Sequence, residues 1–258
     1  MGKIIAIVNQ KGGVGKTTTA VNLSSALGLL GKRVLLCDID PQGNTTSGYG
    51  ISKRGGASSS YEVLLGGRPA AEAVIKTKFE NVSVLPASMD LAGAEIELSG
   101  AENRESRLKT ALASLREQYD YILMDCPPSL GLITLNALNA ADTFLVPIQC
   151  EYYALEGLSQ LMSTVRVIKR QYNPQIDLEG VLLTMYDGRL NLTQQVVNEV
   201  KRYFPGKVFK TVIPRAVRLS EAPSNGIPIH YYDKSSKGAE SYTHVAQEIV
   251  NKGGKTDG

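Results

Sequence analysis

Near the start of the chain, Gln10-Lys11-Gly12-Gly13-Val14-Gly15-Lys16-Thr17-Thr18 has the residue types and spacing that hold a polyphosphate. Glycines let backbone N–H groups converge on phosphate oxygens, and a helix starting at the same point adds its positive end. On this reading Lys16 reaches the β- and γ-phosphates, the Thr17 hydroxyl ligates Mg2+, and Thr18 touches the α-phosphate. Two acidic stretches follow buried-looking runs: Asp38-Ile39-Asp40-Pro41-Gln42-Gly43-Asn44 after Val34-Leu35-Leu36-Cys37, and Asp125-Cys126-Pro127-Pro128 after Tyr121-Ile122-Leu123-Met124. A carboxylate at a strand end can serve a ligand or simply cap a helix or turn. Because both stretches accompany the phosphate loop in the expected order, they point to metal–nucleotide chemistry. Asp125 then holds Mg2+ through its water shell, Asp40 orients the attacking water, and Asp38 supports the metal shell.

Such residues need strands and helices to aim them. Apolar runs of strand length fall at 3–9, 33–38, 82–86, 120–125, 143–148 and 178–185, with a weaker one at 207–213. Helical periodicity falls at 16–30, 103–118, 130–140, 154–171, 191–204 and 236–251, as in the spacing of Leu192, Val196, Val200 and Phe204. Ile4-Ile5-Ala6-Ile7-Val8 is apolar on both faces, the pattern of a parallel strand covered by helices above and below. The expected fold is α/β: a single P-loop domain over 1–251, with a mostly parallel twisted sheet and helices on both faces. A flexible tail is expected at 252–258.

With 258 residues, 43% hydrophobic and 21% charged, the composition is that of a globular protein and excludes collagen, coiled coil and disorder. The first apolar run is too short for a signal peptide, and no run approaches a membrane span. Ala6 stands where a myristoylation signal needs Ser or Thr. Cys37, Cys126 and Cys150 have no CxxC spacing and are expected as buried structural thiols in a cytoplasmic protein. His230 and His244 lack ligand spacing, so they are expected as solvated or hydrogen-bonded surface residues. The net charge of +3 hides an asymmetry: −2 over 1–160 and +5 over 161–258. Between 200 and 220 stand Lys201, Arg202, Lys207, Lys210, Arg215 and Arg218, with no acid. A local basic surface is therefore expected in the later third.

The general phosphate-loop pattern places glycine six residues before its lysine, where this chain has Gln10; a second lysine, Lys11, precedes the glycine pair instead. This resembles the deviant Walker A motif, KGGxxK[ST], of the ParA/MinD class of P-loop ATPases. DIDPQGN (38–44), DCPPSLG (125–131), PIQCEYYALEGL (147–158) and PRAVRLSEAPSNG (214–226) are similar to the chromosomal ParA/Soj branch, so the resemblance spans nearly the whole chain. It implies ATP and Mg2+ as cofactors, a homodimer closed over ATP, non-specific double-stranded DNA held by that dimer, and a ParB-type protein that stimulates weak hydrolysis. A cytoplasmic, nucleoid-associated location goes with this, and a replication initiator is a further partner of some relatives.

The resemblance also assigns residues. Lys11 reaches across the dimer to the partner's nucleotide, while Gly12, Gly13, Val14, Gly15, Lys16, Thr17 and Thr18 wrap the phosphates. Glu151, Tyr152 and Tyr153 approach the dimer interface and nucleotide. Pro214 and Arg215 lie on the adenine side, Met185 is a further nucleotide-binding residue, and Arg189 and Arg218 touch DNA. Lys201, Arg202, Lys207 and Lys210 are added from charge clustering alone, with an ordinary solvated face as the competing account. A collective role is favoured because doubling from ~3 to ~6 phosphate contacts on dimerisation steepens the salt slope from about −3 to about −5.

Alternatives on the same core are weaker. A MinD-like membrane switch needs a basic amphipathic C-terminal helix, and Asn251-Lys252-Gly253-Gly254-Lys255-Thr256-Asp257-Gly258 has no apolar face to bury in lipid. An iron–sulfur carrier needs paired cysteines, and a tyrosine kinase needs more tyrosines in its tail than Tyr231, Tyr232 and Tyr242. A GTPase needs an Asn/Thr-Lys-x-Asp motif, which does not occur. A DNA-coating scaffold with ATP that never turns over would have no use for Asp40. With no extension before the first strand, the helix-turn-helix domain of some plasmid relatives is not expected.

Overall fold

Successive side chains of the first strand enter two different cores. In a computed structural model describing residues 1–53, 58–151 and 154–253, Ile4, Ala6 and Val8 join one apolar cluster, and Ile5 and Ile7 join the other. The chain runs β1 (Lys3–Ile7), α1 (Lys16–Leu29), β2 (Val34–Asp38), α2 (Asn44–Gly48), α3 (Ser60–Leu65), α4 (Ala70–Ala73), β3 (Ile75–Lys76), β4 (Val82–Leu85), α5 (Ala94–Leu98), α6 (Arg107–Ala113) and β5 (Tyr121–Asp125). It continues through α7 (Leu132–Ala140), β6 (Thr143–Gln149), α8 (Ala154–Gln171), β7 (Asp177–Thr184), α9 (Asn191–Tyr203), α10 (Val217–Glu221), α11 (Ile229–Tyr232) and α12 (Lys237–Gly253). One sheet results, in the order β3-β4-β2-β5-β1-β6-β7, parallel except for the two-residue β3 at its edge. Helices α1 and α10–α12 pack on one face, α3–α9 on the other. This is the expected α/β architecture.

Helix α1 is enclosed between the sheet and α12, so even its polar residues are buried: Thr19 Oγ1 lies 3.2 Å from Tyr242 Oη, and Asn22 Oδ1 accepts from Ile229 N at 2.8 Å. A helix buried on nearly every side needs no apolar stripe. All three cysteines are buried. None of the described helices is long and apolar enough to cross a membrane.

Several expectations about elements need correction. Residues 207–213 do not form a strand; Val208 makes a single bridge to Val181, and Phe209 packs so close to Gly180 that a Cβ there would meet its ring at 2.6 Å. The helix expected over 103–118 is confined to Arg107–Ala113, preceded by turns with Asn103 at φ +51°. The shorter helices α2–α5, α10 and α11 show no periodicity because fewer than two turns repeat no spacing. Only α3 carries a sequence signal, the capping box formed by Ser59 and Glu62. Helix α12 continues to Gly253, past the boundary expected at 251, and Lys252 Nζ donates to Glu179 O at 3.1 Å. The remaining tail residues, 254–258, lie outside the described residues.

Candidate nucleotide site

The order of the central strands puts the chemistry in one place. Asp38 and Asp125 end β2 and β5 as direct register partners, and Asp125 pairs with Ile7, the last residue of β1. The glycine loop that leaves β1 therefore opens beside both carboxylates. At its start Asn9 donates to Pro147 O at 2.8 Å and accepts from Lys11 N at 3.0 Å. Gly13 and Gly15 take φ of 72° and 86°, which other residues adopt only with strain. The Thr184 hydroxyl lies 2.8 Å from Val14 O and 3.0 Å from Ile148 O, tying the loop to the ends of β6 and β7.

Lys16, the first residue of α1, is buried, and its Nζ donates to Lys11 O at 3.0 Å. Burial lowers its pKa, while the charges of Asp125 and Asp40 pull it back up. Asp125 is wholly buried: burial, then the neighbouring Asp38, pushes its carboxyl up to about 7, against hydroxyl hydrogen bonds from Thr45, at 2.7 Å, and Thr17. Its other oxygen, Oδ1, has no hydrogen-bond partner among the described residues. Burial also raises Asp38, to about 6, although Thr46 donates to its Oδ2 from both N and Oγ1 at 2.7 Å and Asp40 N lies 3.3 Å from its Oδ1. Asp40 accepts from Gln42 N at 2.9 Å. Lys53 lies over Gly43 and holds this turn, donating to Gln42 O at 2.5 Å and Asn44 Oδ1 at 3.2 Å.

A hard cation fits this oxygen-only corner. An orphaned, buried Asp125 oxygen beside the Thr17 hydroxyl is an incomplete shell of the kind Mg2+ completes with phosphate and water. No set of three His, Cys, Asp or Glu among the described residues forms a metal cage of its own, so the remaining ligands must come from elsewhere. Asp38, with both oxygens engaged by Thr46 and Asp40, can only buttress that shell.

At the mouth, Lys11 and Glu151 form an ion pair, each side chain a little under half exposed. Tyr152 and Tyr153 lie outside the described residues. A cavity of about 310 Å3 adjoins the loop on the far side of Thr18, and Met185, Pro214 and Arg215 all line it, with Met185 at φ +48°. The sequence-derived phosphate and base-side residues thus meet in one continuous region. Sequence reasoning missed Thr45, Thr46, Thr184 and Lys53, whose partners become visible only once the strands are aligned.

The basic residues do not gather. Arg189 follows the C-terminal end of β7, 89% exposed and bidentate to Asp187 with its shorter contact at 2.7 Å. Arg218 pairs with Glu221 at 2.9 Å and Asp233 at 3.6 Å. Lys207 instead pairs with Asp177, the first residue of β7, at 2.8 Å, and the backbone of Lys210 is held by Glu248 at 3.0 Å. Lys201 and Arg202 end α9, with Arg202 3.9 Å from Glu199. An eight-residue strand spans about 25 Å, so Arg189, past the C-terminal end of β7, and Lys207, paired with its first residue, stand too far apart for the expected single patch. His230 departs from expectation as well: it is half-buried, with Nε2 3.1 Å from Ala239 O.

A parallel sheet with a glycine loop after β1, a buried lysine opening α1 and carboxylates ending the two adjoining strands defines a P-loop nucleotide-binding protein. A family model described as an AAA domain matches residues 2–178. Sporulation initiation inhibitor protein Soj of Bacillus subtilis (strain 168) is 58% identical over 253 residues, covering 98% of this chain and 100% of that protein. Chromosome partitioning protein ParA of Myxococcus xanthus (strain DK1622) is 54% identical over 252 residues, covering 98% and 89%. Among solved structures, cobyrinic acid a,c-diamide synthase from Mycobacterium smegmatis with bound ATP analog and magnesium superposes with a TM-score of 0.85 at 38% identity, covering 97% of this chain and 95% of that one. The chain belongs to the ParA/Soj family of chromosome-partitioning P-loop ATPases.

Proposed function

We propose that residues 1–251 act as one ATPase unit that binds Mg2+–ATP, closes into a homodimer over it, and holds double-stranded DNA without sequence preference only as that dimer. Hydrolysis is slow until DNA and a ParB-type protein stimulate it, and the active dimer resides on the nucleoid. The observation that carries this reading is the convergence of Lys16, Asp125 and Asp40 on one buried loop with Lys11 at its mouth.

On substrate binding the Lys16 ammonium exchanges Lys11 O for phosphate oxygens. The Thr17 hydroxyl directly and Asp125 through a water shell would hold Mg2+, which would supply neutralising charge for the phosphates. Asp40, with one oxygen fixed by Gln42 N, keeps the other for the attacking water. Lys11 leaves Glu151 to reach the partner protomer's phosphates, and a cation supplied in trans contributes about 10³–10⁵ in rate in related chemistry. Met185, Pro214 and Arg215 line the space for the base. Arg189, just past the C-terminal end of β7, and Arg218, on α10, are the DNA contacts this reading retains.

The test compares ATPase activity with DNA and a ParB N-terminal peptide in wild type and Asp40→Ala. Equal activity removes Asp40 from the mechanism. Gly12→Val tests dimerisation separately, because a Cβ at Gly12 meets nothing within 4 Å inside the protomer. The variant should bind nucleotide normally and stay monomeric by light scattering; a dimer would place the interface elsewhere.

A further inference from the structure

A cleft of about 690 Å3, larger than the cavity beside the phosphate loop, opens between α3–α4 and α6. None of the residues assigned above lines it. Its wall holds Arg107, the first residue of α6, whose Nε is shielded from solvent and has no acceptor. The guanidinium lies close enough to Gly66 that a Cβ there would stand 3.1 Å from Nη1. Arg116, the other half-buried arginine among the described residues, has its Nε and Nη2 engaged: it donates to Gly2 O from both, at 3.2 and 3.1 Å, and from Nη2 to Asp142 at 2.6 Å. Arg107 makes no hydrogen bond or ion pair among the described residues. A guanidinium keeps its charge under all protein conditions, so it cannot escape this situation by losing a proton.

The surroundings indicate what would complete it. Arg68 stands exposed on the opposite lip and forms no ion pair among the described residues. Thr110 and Ser114 line the α6 side; among the described residues Glu102 is the one acid on the wall, and the charge of Arg68 also reaches Glu62 beside it. We propose that this cleft is an oxyanion site, in which Arg107 and Arg68 take a carboxylate or phosphate group between them and the two hydroxyls add hydrogen bonds. The planar fork of arginine suits both anions. They have two sources, a free phosphate-type ion or an acidic segment of a partner protein. The proposal does not rest on the nucleotide reading, since α3, α4 and α6 contribute nothing to the phosphate loop.

The Nε–H resonance of Arg107, in full-length protein labelled with ¹⁵N-arginine, reports on this cleft alone. It is titrated separately with inorganic phosphate and with triglutamate, and is assigned by its loss in Arg107→Lys. The expected result is a saturable shift with one of the two ligands, and about tenfold weaker binding of that ligand by isothermal titration calorimetry in Arg107→Lys, which keeps the charge but not the fork. Arg68→Gln, followed on the same resonance, should weaken binding about threefold or more and serves if Arg107→Lys is unfolded. Saturation by phosphate identifies a free anion; saturation by triglutamate alone identifies an acidic partner segment. No saturable shift with either ligand below about 50 mM, or binding unchanged in Arg68→Gln, overturns the site.

Discussion

The charges at the centre of the sheet and those at its β7 edge obey different rules. Asp38, Asp125 and Lys16 are removed from water and are met by specific neighbours such as Thr46, Thr45 and the Lys11 carbonyl. Arg189, Arg202, Lys207 and Arg218 stand in solvent beside whichever acid is nearest. Moving a buried charge costs several kcal/mol, whereas an exposed pair contributes about 0–1 kcal/mol. The centre therefore admits one arrangement, while the edge is free to exchange its acids for an external polyanion.

That contrast is most severely tested by Lys16→Ala, which should weaken nucleotide binding by about 100-fold or more, measured with a fluorescent ATP analogue. A smaller loss than that caused by any edge variant would reverse the comparison. Next, Arg189→Glu with Arg218→Glu should lower DNA affinity by about tenfold or more at moderate salt, with ATP-dependent dimerisation unchanged by light scattering. Arg202→Glu with Lys207→Glu, the latter paired with Asp177 at the other end of β7, should change affinity less than about threefold in the same assay. If the two pairs behave alike, the division of the edge into two groups has no functional meaning.

Subtler changes probe how tightly the centre is held. Lys53→Met removes the ammonium that grips Gln42 O while keeping the stem over Gly43. It should lower kcat about threefold to tenfold with KM for ATP unchanged, because only the aim of Asp40 is loosened; a rise in KM alone would contradict this. The smallest effect concerns His230, which burial holds down at about 4, below its ordinary 6.5. Between those values the unfolded chain binds more protons than the folded one. Stability present at pH 7 is therefore lost as the pH falls through 6.5 towards 4. His230→Gln should reduce the drop in Tm between pH 7 and pH 5 by about 2–4 °C.

The same contrast explains what the sequence made legible. Lys16 could be found because it closes a glycine loop and opens a helix, and Asp40 and Asp125 because they sit at or within two residues of a strand end, where local pattern determines position. Thr45 and Thr184 could not, since the first depends on a carboxylate 80 residues away and the second on a carbonyl 170 residues back. The basic run at 200–220 misled for a related reason. After α9 the chain climbs alongside β7, Lys207 O accepting from Val181 N at 2.8 Å and Ile213 N donating to Leu183 O at 2.8 Å. Lys207 and Arg215, members of one basic run, are thereby carried towards opposite ends of the strand.

The level pairing of Asp38, Asp125 and Ile7 across β2, β5 and β1 has one more consequence. Strand side chains alternate between faces, so one residue inserted within β2 or β5 would turn a carboxylate over to the wrong side of the sheet. The turns at the opposite end, such as that leading from α6 into β5, carry no such parity and should accept added or lost residues with little effect on ATP turnover. Tolerance to insertion thus divides this chain by odd and even rather than by near and far.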